Sequence, residues 1–597
     1  MTDIIESYSE LIKEAFITPI RTVTVIDDEY PTLLSLITVP TDENVKKVDL
    51  DNANTNRLKK IISMCHSTYR WSIDVLDGQT PEFGKVEPVP SHIRHSDLII
   101  LDYHLDGEGP ADEGKRARNI IQSLAKSNHY NLALVHTKGL DGDIKTVFTE
   151  ILKDLIYISP KHELLPSKEI DDKIGAWLIE NEDEIDYKWI LEDIGLYDVL
   201  KIYLSPTPER CINPRAPEHP LRNFATEITE VAGKVNVNPV DFMKWRFAEI
   251  LKKNDVKFSE NVDSGLDCFW CEETNYISTG KMFISVIKKG TEDPKEELID
   301  SLIKALTKRN ASPMHLLMAK MRYELDEKGI EQAAKIISNR YAQAGWLYNL
   351  LKNSDDDSAH DKAINLHWEQ LATASRLELR NFSKRIMAVA KNMHPGDEKQ
   401  FVKTFFRECM NQQDLTLGHL NAFSCSMPIS NSHLMTGTVL NIEGEKWVCI
   451  TPACDLVPGQ KTPQWESRIG QSYLVFKAVK LEIAKLETAN KNANRNDYIY
   501  LNTGTAPSAY ELGSDNPSWD TFYAADLGRY DKEHSLTLFC ARECTVPGEE
   551  TVLKMKELTA HAIAELRYEY ALNLLHKFGS SQTRVGLDFQ NKNNMWA

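Results

Sequence analysis

Early in the chain, three short apolar runs each end in a polar residue of a type used to handle a phosphoryl group. TVTVI (22–26) ends in Asp27-Asp28, DLIIL (97–101) ends in Asp102, and NLALVH (131–136) ends in Thr137. A carboxylate that accepts a phosphoryl group needs a divalent cation to neutralise the converging charges. Mg²⁺ takes hard oxygen ligands and needs only one or two carboxylates beside phosphate and water. Asp27 and Asp28 can supply those beside Asp102, the candidate nucleophile for an acyl phosphate. Thr137 can donate its hydroxyl to a phosphoryl oxygen, and a fixed lysine would complete the set.

The elements around these residues alternate between strand and helix. Continuous apolar character at 98–101 predicts a central parallel strand covered on both faces. DEGKRARNIIQSLA and DIKTVFTEILKDL read as helices, RWSIDVLD (70–77) as a further strand, and DLIYISPK as the last one. Such alternation implies a doubly wound, parallel α/β domain with its ligands beyond the carboxyl ends of the strands, where the polar residues fall.

IDDE, LDYHLDG, Gly114 and VHTKG together resemble the receiver domains of response regulators over roughly residues 21–161. The resemblance implies a flavodoxin-like fold, Asp27 and Asp28 as the acidic metal pair and Mg²⁺ as the cofactor. It also implies Asp102 as phosphoacceptor and metal ligand, and Thr137 as the switch hydroxyl. The chain departs from the family at YISP, where the spacing of 159 − 137 = 22 puts Ser159 in the lysine position before Pro160. A charge pair at about 4 Å is worth on the order of 4 kcal/mol at an effective dielectric of 20, and Ser159 cannot replace it. Lys138 or Lys161 is the candidate substitute cation. Two readings follow: a domain phosphorylated on Asp102 that switches differently, or a pseudo-receiver that offers a docking surface.

The remaining chain is less informative. The expected organisation is a receiver-like domain over 1–165 with an insertion near 37–56, then a helical segment over 166–292 with a β-hairpin at 266–289. A helical domain over 293–420 follows, then a β-rich domain over 421–597 built as a small antiparallel barrel or curled sheet. A closing helix over 551–578 ends that domain. The Thr279-Gly280 and Glu443-Gly444 pairs mark tight turns between strands.

A length of 597 residues exceeds one core. The net charge of −18 argues against nonspecific binding to nucleic acid or to an anionic membrane. The start shows no signal-peptide pattern and no run long enough to span a membrane, so a cytoplasmic protein is expected. Ten dilute cysteines suit a reducing compartment. Cys268 and Cys271 have the spacing of a zinc half-site, with Cys540 and Cys544 as a distant second pair, but buried thiols are the simpler reading. Cys454 with His433 is a candidate nucleophile and base. ITPACDLVPGQ (450–460) and the segment around Arg567 and Arg584 resemble chains of bacterial conflict and phage-defence systems. No nucleotide-binding glycine motif and no kinase core appears. The expected role is therefore a signalling or regulatory protein whose partner resembles a histidine kinase or a GHKL-type ATPase, in bacterial antiviral defence. The alternatives are an enzyme with a Cys- or metal-dependent site in the C-terminal half, and a non-enzymatic adaptor.

Overall fold

The computed structural model describes residues 7–32, 35, 53–78, 89–105, 114–140, 142–158, 164–181, 194–205, 208–217, 219, 221–256, 265–290, 293–354, 357–457, 468–502, 504, 506–512, 517–544 and 552–582. The chain divides into two compact units, Met1–Lys320 and Met321–Ala597.

In the first unit, strands β1 (Thr22–Ile26), β2 (Ser72–Leu76), β3 (Leu98–Asp102), β4 (Asn131–Thr137), β5 (Asp267–Phe269), β6 (Tyr276–Ser278) and β7 (Met282–Lys288) form one sheet. Its order is β2-β1-β3-β4-β7-β6-β5. The first five strands are parallel, and β6 and β5 add antiparallel to the far edge. Every residue of β3 and β4 is buried, as expected of central parallel strands. Helices Lys115–Ala125 and Ile144–Leu155 lie against the sheet with Ile120, Ile121, Val147, Phe148 and Ile151 in the common core. Ser7 caps the leading helix Tyr8–Phe16, and Asp143 caps Ile144–Leu155 through the amides of Lys145 and Thr146.

The sheet corrects the expected domain plan. The described part of DLIYISPK, residues 154–158, does not hold the fifth parallel place, and residues 154 and 155 end the helix Ile144–Leu155. That place belongs to β7, which pairs with β4 from Asn131↔Met282 to Thr137↔Lys288. The hairpin at 266–289 is therefore the far edge of the receiver sheet rather than part of a separate segment. The helices between, including Lys168–Glu180, Leu196–Tyr203, Ala225–Lys234 and Pro239–Lys253, are inserted ahead of it and share its core. Phe148 stands 5.9 Å from Tyr197 and 5.0 Å from Trp270 by ring centroids, so the insert packs on the helix that follows β4. Most of the expected insertion at 37–56 lies outside the described residues. Its last four positions open the helix Ala53–Ser63.

The second unit has a helical part, including Arg340–Lys352, Asp357–Met393, Glu398–Asn411 and Gln413–Cys425, and then a barrel. Its strands are β8 (Ser426–Met427), β9 (Thr438–Ile442), β10 (Glu445–Cys449), β11 (Leu474–Ala484), β12 (Tyr498–Leu501), β13 (Ser508–Glu511), β14 (Trp519–Ala524), β15 (Ser535–Cys544) and β16 (Val552–Leu566). The ring β10-β9-β16-β15-β14-β11 closes through β10–β11 pairing, giving a six-stranded antiparallel barrel, with β12, β13 and β8 as extra strands. Glu443 and Gly444 both take positive φ, 49° and 89°, in the two-residue turn joining β9 to β10.

The expected closing helix over 551–578 is mostly wrong. Residues 552–566 are β16, and the helix spans Tyr568–Gln582, running through Gly579 rather than ending there. Lys, Glu, Ala and Leu favour a helix locally, but ten register pairs with β15 override that preference. Burial alternates at Leu558, Ala560, Ala562 and Ala564, as a half-buried strand requires. Among the described residues no helix is long and apolar enough to cross a membrane.

Candidate functional site

The site is assembled by register. Pairing of Ile26 with Leu101 ends β1 and β3 together, which puts Asp27 beside Asp102. Pairing of Asp102 with His136 and of Thr137 with Lys288 brings the ends of β4 and β7 to the same edge. The four carboxyl ends meet where an open α/β sheet binds its ligands.

Asp27 and Asp102 are buried, and Asp28 is half-buried. One carboxylate oxygen from each can lie within 4.8 Å of the others. Among the described residues, this is the only group of three or more His, Cys, Asp or Glu side chains placed to hold a metal. Asp27 is fixed by the Glu29 amide, which donates to Oδ1 at 2.9 Å, and Asp102 accepts from the His104 amide at 3.3 Å.

The cation at this pocket is Lys289, the residue immediately after β7. Its Nζ donates to Asp102 Oδ2 at 2.6 Å and to Asp27 Oδ2 at 3.1 Å, with Glu29 Oε2 at 3.8 Å. Its backbone N–H donates to the Thr137 carbonyl at 2.8 Å. The reading that the domain lacks its lysine is therefore corrected. The residue comes from the far side of the insertion, while Ser159, Pro160 and Lys161 lie outside the described residues. Lys138 is not its substitute: it is more than half exposed and pairs with Glu29 at 3.3 Å. One clue to Lys289 stood in the sequence, since MFISVIKKG is a fourth apolar run ending in a polar residue.

Electrostatics follow from burial and charge. Burial and the neighbouring Asp27 push the Asp102 carboxyl up to about 6, against the pull of Lys289 and the His104 amide. Burial also raises Asp28, with Asp27 adding to it. Burial alone would lower the Lys289 ammonium, but Asp27 and Asp102 together outweigh it and hold the group charged. The donor set thus carries excess negative charge in a dry place, and a hard dication fits it. Thr137 is buried on the same edge, and its Oγ1 accepts from the Gly139 amide at 3.0 Å.

Among the described residues, none of the remaining candidate cysteines belongs to a group of three or more ligands placed to hold a metal. Cys268 is half-buried with its thiol pushed up to about 12 by burial, while Cys271 is exposed. Cys540 is buried, and burial raises its thiol. Cys454 is exposed, and its thiol donates to Asp455 Oδ1 at 3.5 Å, a carboxylate rather than an imidazole. His433 is buried, its backbone bridged to Arg529.

No curated protein and no solved structure matches the chain. A family model described as the response receiver domain matches residues 19–182, a span that ends well before Lys289. With that match, the parallel sheet and the acidic edge of β1 and β3, the N-terminal part of this 597-residue chain is a response receiver domain.

Proposed function

We propose that this receiver domain accepts a phosphoryl group on Asp102, with Asp27, Asp28 and Asp102 holding Mg²⁺ and Lys289 as the fixed cation. The receiver domain itself gives the chain a signalling or regulatory role in general. The observation that carries the finer reading is the 2.6 Å contact between Lys289 Nζ and Asp102 Oδ2, in a place that the local sequence leaves to a serine.

In the reaction, an Asp102 carboxylate oxygen attacks phosphorus and forms the O–P bond of an acyl phosphate. The bond from phosphorus to the donor's nitrogen or oxygen breaks, and its electron pair leaves with the donor. Asp102 carries no proton into the step when ionised, which holds above about pH 6. When bound, Mg²⁺ would neutralise the carboxylates and phosphoryl oxygens converging on one point. Lys289 is held by Asp27 as well as Asp102, so it is already in place to meet charge arriving on the phosphoryl oxygens. Thr137 lies buried at the same edge with a hydroxyl that can turn from the Gly139 amide to a phosphoryl oxygen. The donor is a phosphohistidine on a kinase-like partner or a small acyl phosphate, because no kinase core occurs in this chain.

The test incubates the full chain with Mg²⁺ and a small acyl phosphate, then looks for a hydroxylamine-labile phosphate by intact mass. Labelling that disappears in Asp102→Asn is the expected result. No labelling, together with no Mg²⁺-dependent binding of beryllofluoride, would refute the reading.

A further inference from the structure

Lys289 stands just past the last residue of β7, so its position depends on what holds the backbone beyond the sheet. Gly290, the next residue, is gripped on both sides. Its N–H donates to Glu297 Oε1 at 3.2 Å, and its carbonyl accepts from Arg57 Nη1 at 3.0 Å. Arg57 Nη2 and His136 Nε2 both hydrogen-bond that same Glu297 oxygen. The three side chains come from three elements: helix Ala53–Ser63, strand β4 and the helical segment Lys295–Asp300. They are 17%, 2% and 5% exposed for Arg57, His136 and Glu297.

Burial alone would raise Glu297, but the bonds from His136, Arg57 and the Gly290 amide together keep it ionised, at about 2. Burial lowers the His136 imidazole, and because an ionised carboxylate only accepts, His136 Nε2 is the donor to Glu297. A buried ion pair returns little net stability, because desolvation offsets its attraction. This one is not arranged for stability either: among the described residues, Glu297 Oε2 and Arg57 Nε are buried without a hydrogen-bond partner. What the cluster does accomplish is geometric, since the Arg57 and His136 side chains converge on the single Glu297 oxygen that holds the residue after Lys289.

We propose that Glu297, with Arg57 and His136, is a positioning cluster that sets the Lys289 ammonium across Asp27 and Asp102 by fixing the backbone at Gly290. The purpose of that placement rests on the phosphoryl-accepting reading; the placement does not. Among the described residues Glu297 hydrogen-bonds Arg57, His136 and the Gly290 amide, so its influence on the aspartates runs through Lys289.

The test uses the full chain and its Glu297→Gln variant, with Arg57→Lys as a second variant should the first fail to fold by thermal unfolding. Amide hydrogen exchange over residues 286–290 reports the positioning directly. Beryllofluoride affinity in Mg²⁺ is then measured for wild type, Glu297→Gln, Lys289→Met and the double variant. The expected result is exchange faster by on the order of tenfold in Glu297→Gln, as loss of a charged acceptor implies. Beryllofluoride affinity is expected to fall by about tenfold, with no further loss when Glu297→Gln is added to Lys289→Met. Unchanged exchange overturns the proposal, as does an equal loss of affinity in both backgrounds. Faster exchange in a protein whose wild type never binds beryllofluoride keeps the positioning and removes the phosphoryl reading.

Discussion

Replacing Lys289 by Met is the sharpest perturbation of this pocket, because it removes the charge and keeps much of the side-chain volume. At 2.6 and 3.1 Å, its contacts with Asp102 and Asp27 are worth about 6 and about 5 kcal/mol of gross attraction at an effective dielectric of 20. Most of that is offset by desolvation of an ammonium only 13% exposed, and Asp102 can relieve the rest by taking a proton. The net expectation is the loss for breaking a buried pair, about 3 kcal/mol, in the unfolding transition of the receiver unit. Asp102, already at about 6, should rise further and become protonated at neutral pH. Added Mg²⁺ should then restore more stability to the variant than to wild type, since the competing ammonium is gone. Beryllofluoride binding should nevertheless weaken. The assay is chemical denaturation of the full chain with and without Mg²⁺, in which the transition that Mg²⁺ moves identifies the receiver unit. A loss below about 1 kcal/mol, as for a surface ion pair, with unchanged beryllofluoride affinity, would show that Lys289 is not a buried partner of Asp102.

Asp102→Asn should stabilise the metal-free protein at pH 7 by about 1–3 kcal/mol while abolishing phosphoryl labelling. The sign follows because a carboxyl raised to about 6 is strained when ionised, and denaturation midpoints check it. Below about pH 6, Mg²⁺ affinity measured by calorimetry should fall about tenfold per pH unit, since each ion must first displace the Asp102 proton. Gly114→Ala should destabilise the receiver unit by more than about 2 kcal/mol. At φ +68° its new Cβ would stand 2.1 Å from the buried Tyr103 ring, and thermal unfolding would register the loss.

The acidic half of the site is legible in one dimension. Asp27, Asp28, Asp102 and Thr137 each close a buried apolar run, and a strand that must be covered on both faces reads continuously apolar in one dimension. The turn at Thr279-Gly280 and the one at Glu443-Gly444 were legible for the same local reason. The remainder depends on long-range pairing. Parallel strands need a crossover connection and nothing local limits its length, so a helical insert could separate β4 from β7 without disturbing their register. Reading Ser159 as the lysine position assumed a short crossover. In the same way, β16 carries helix-forming residues, and only pairing with β15 and β9 makes it a strand. The acidic pair and Asp102 lie where neighbouring runs end, whereas Lys289 lies 289 − 102 = 187 residues beyond Asp102. Its role depends on a contact that only the folded sheet creates.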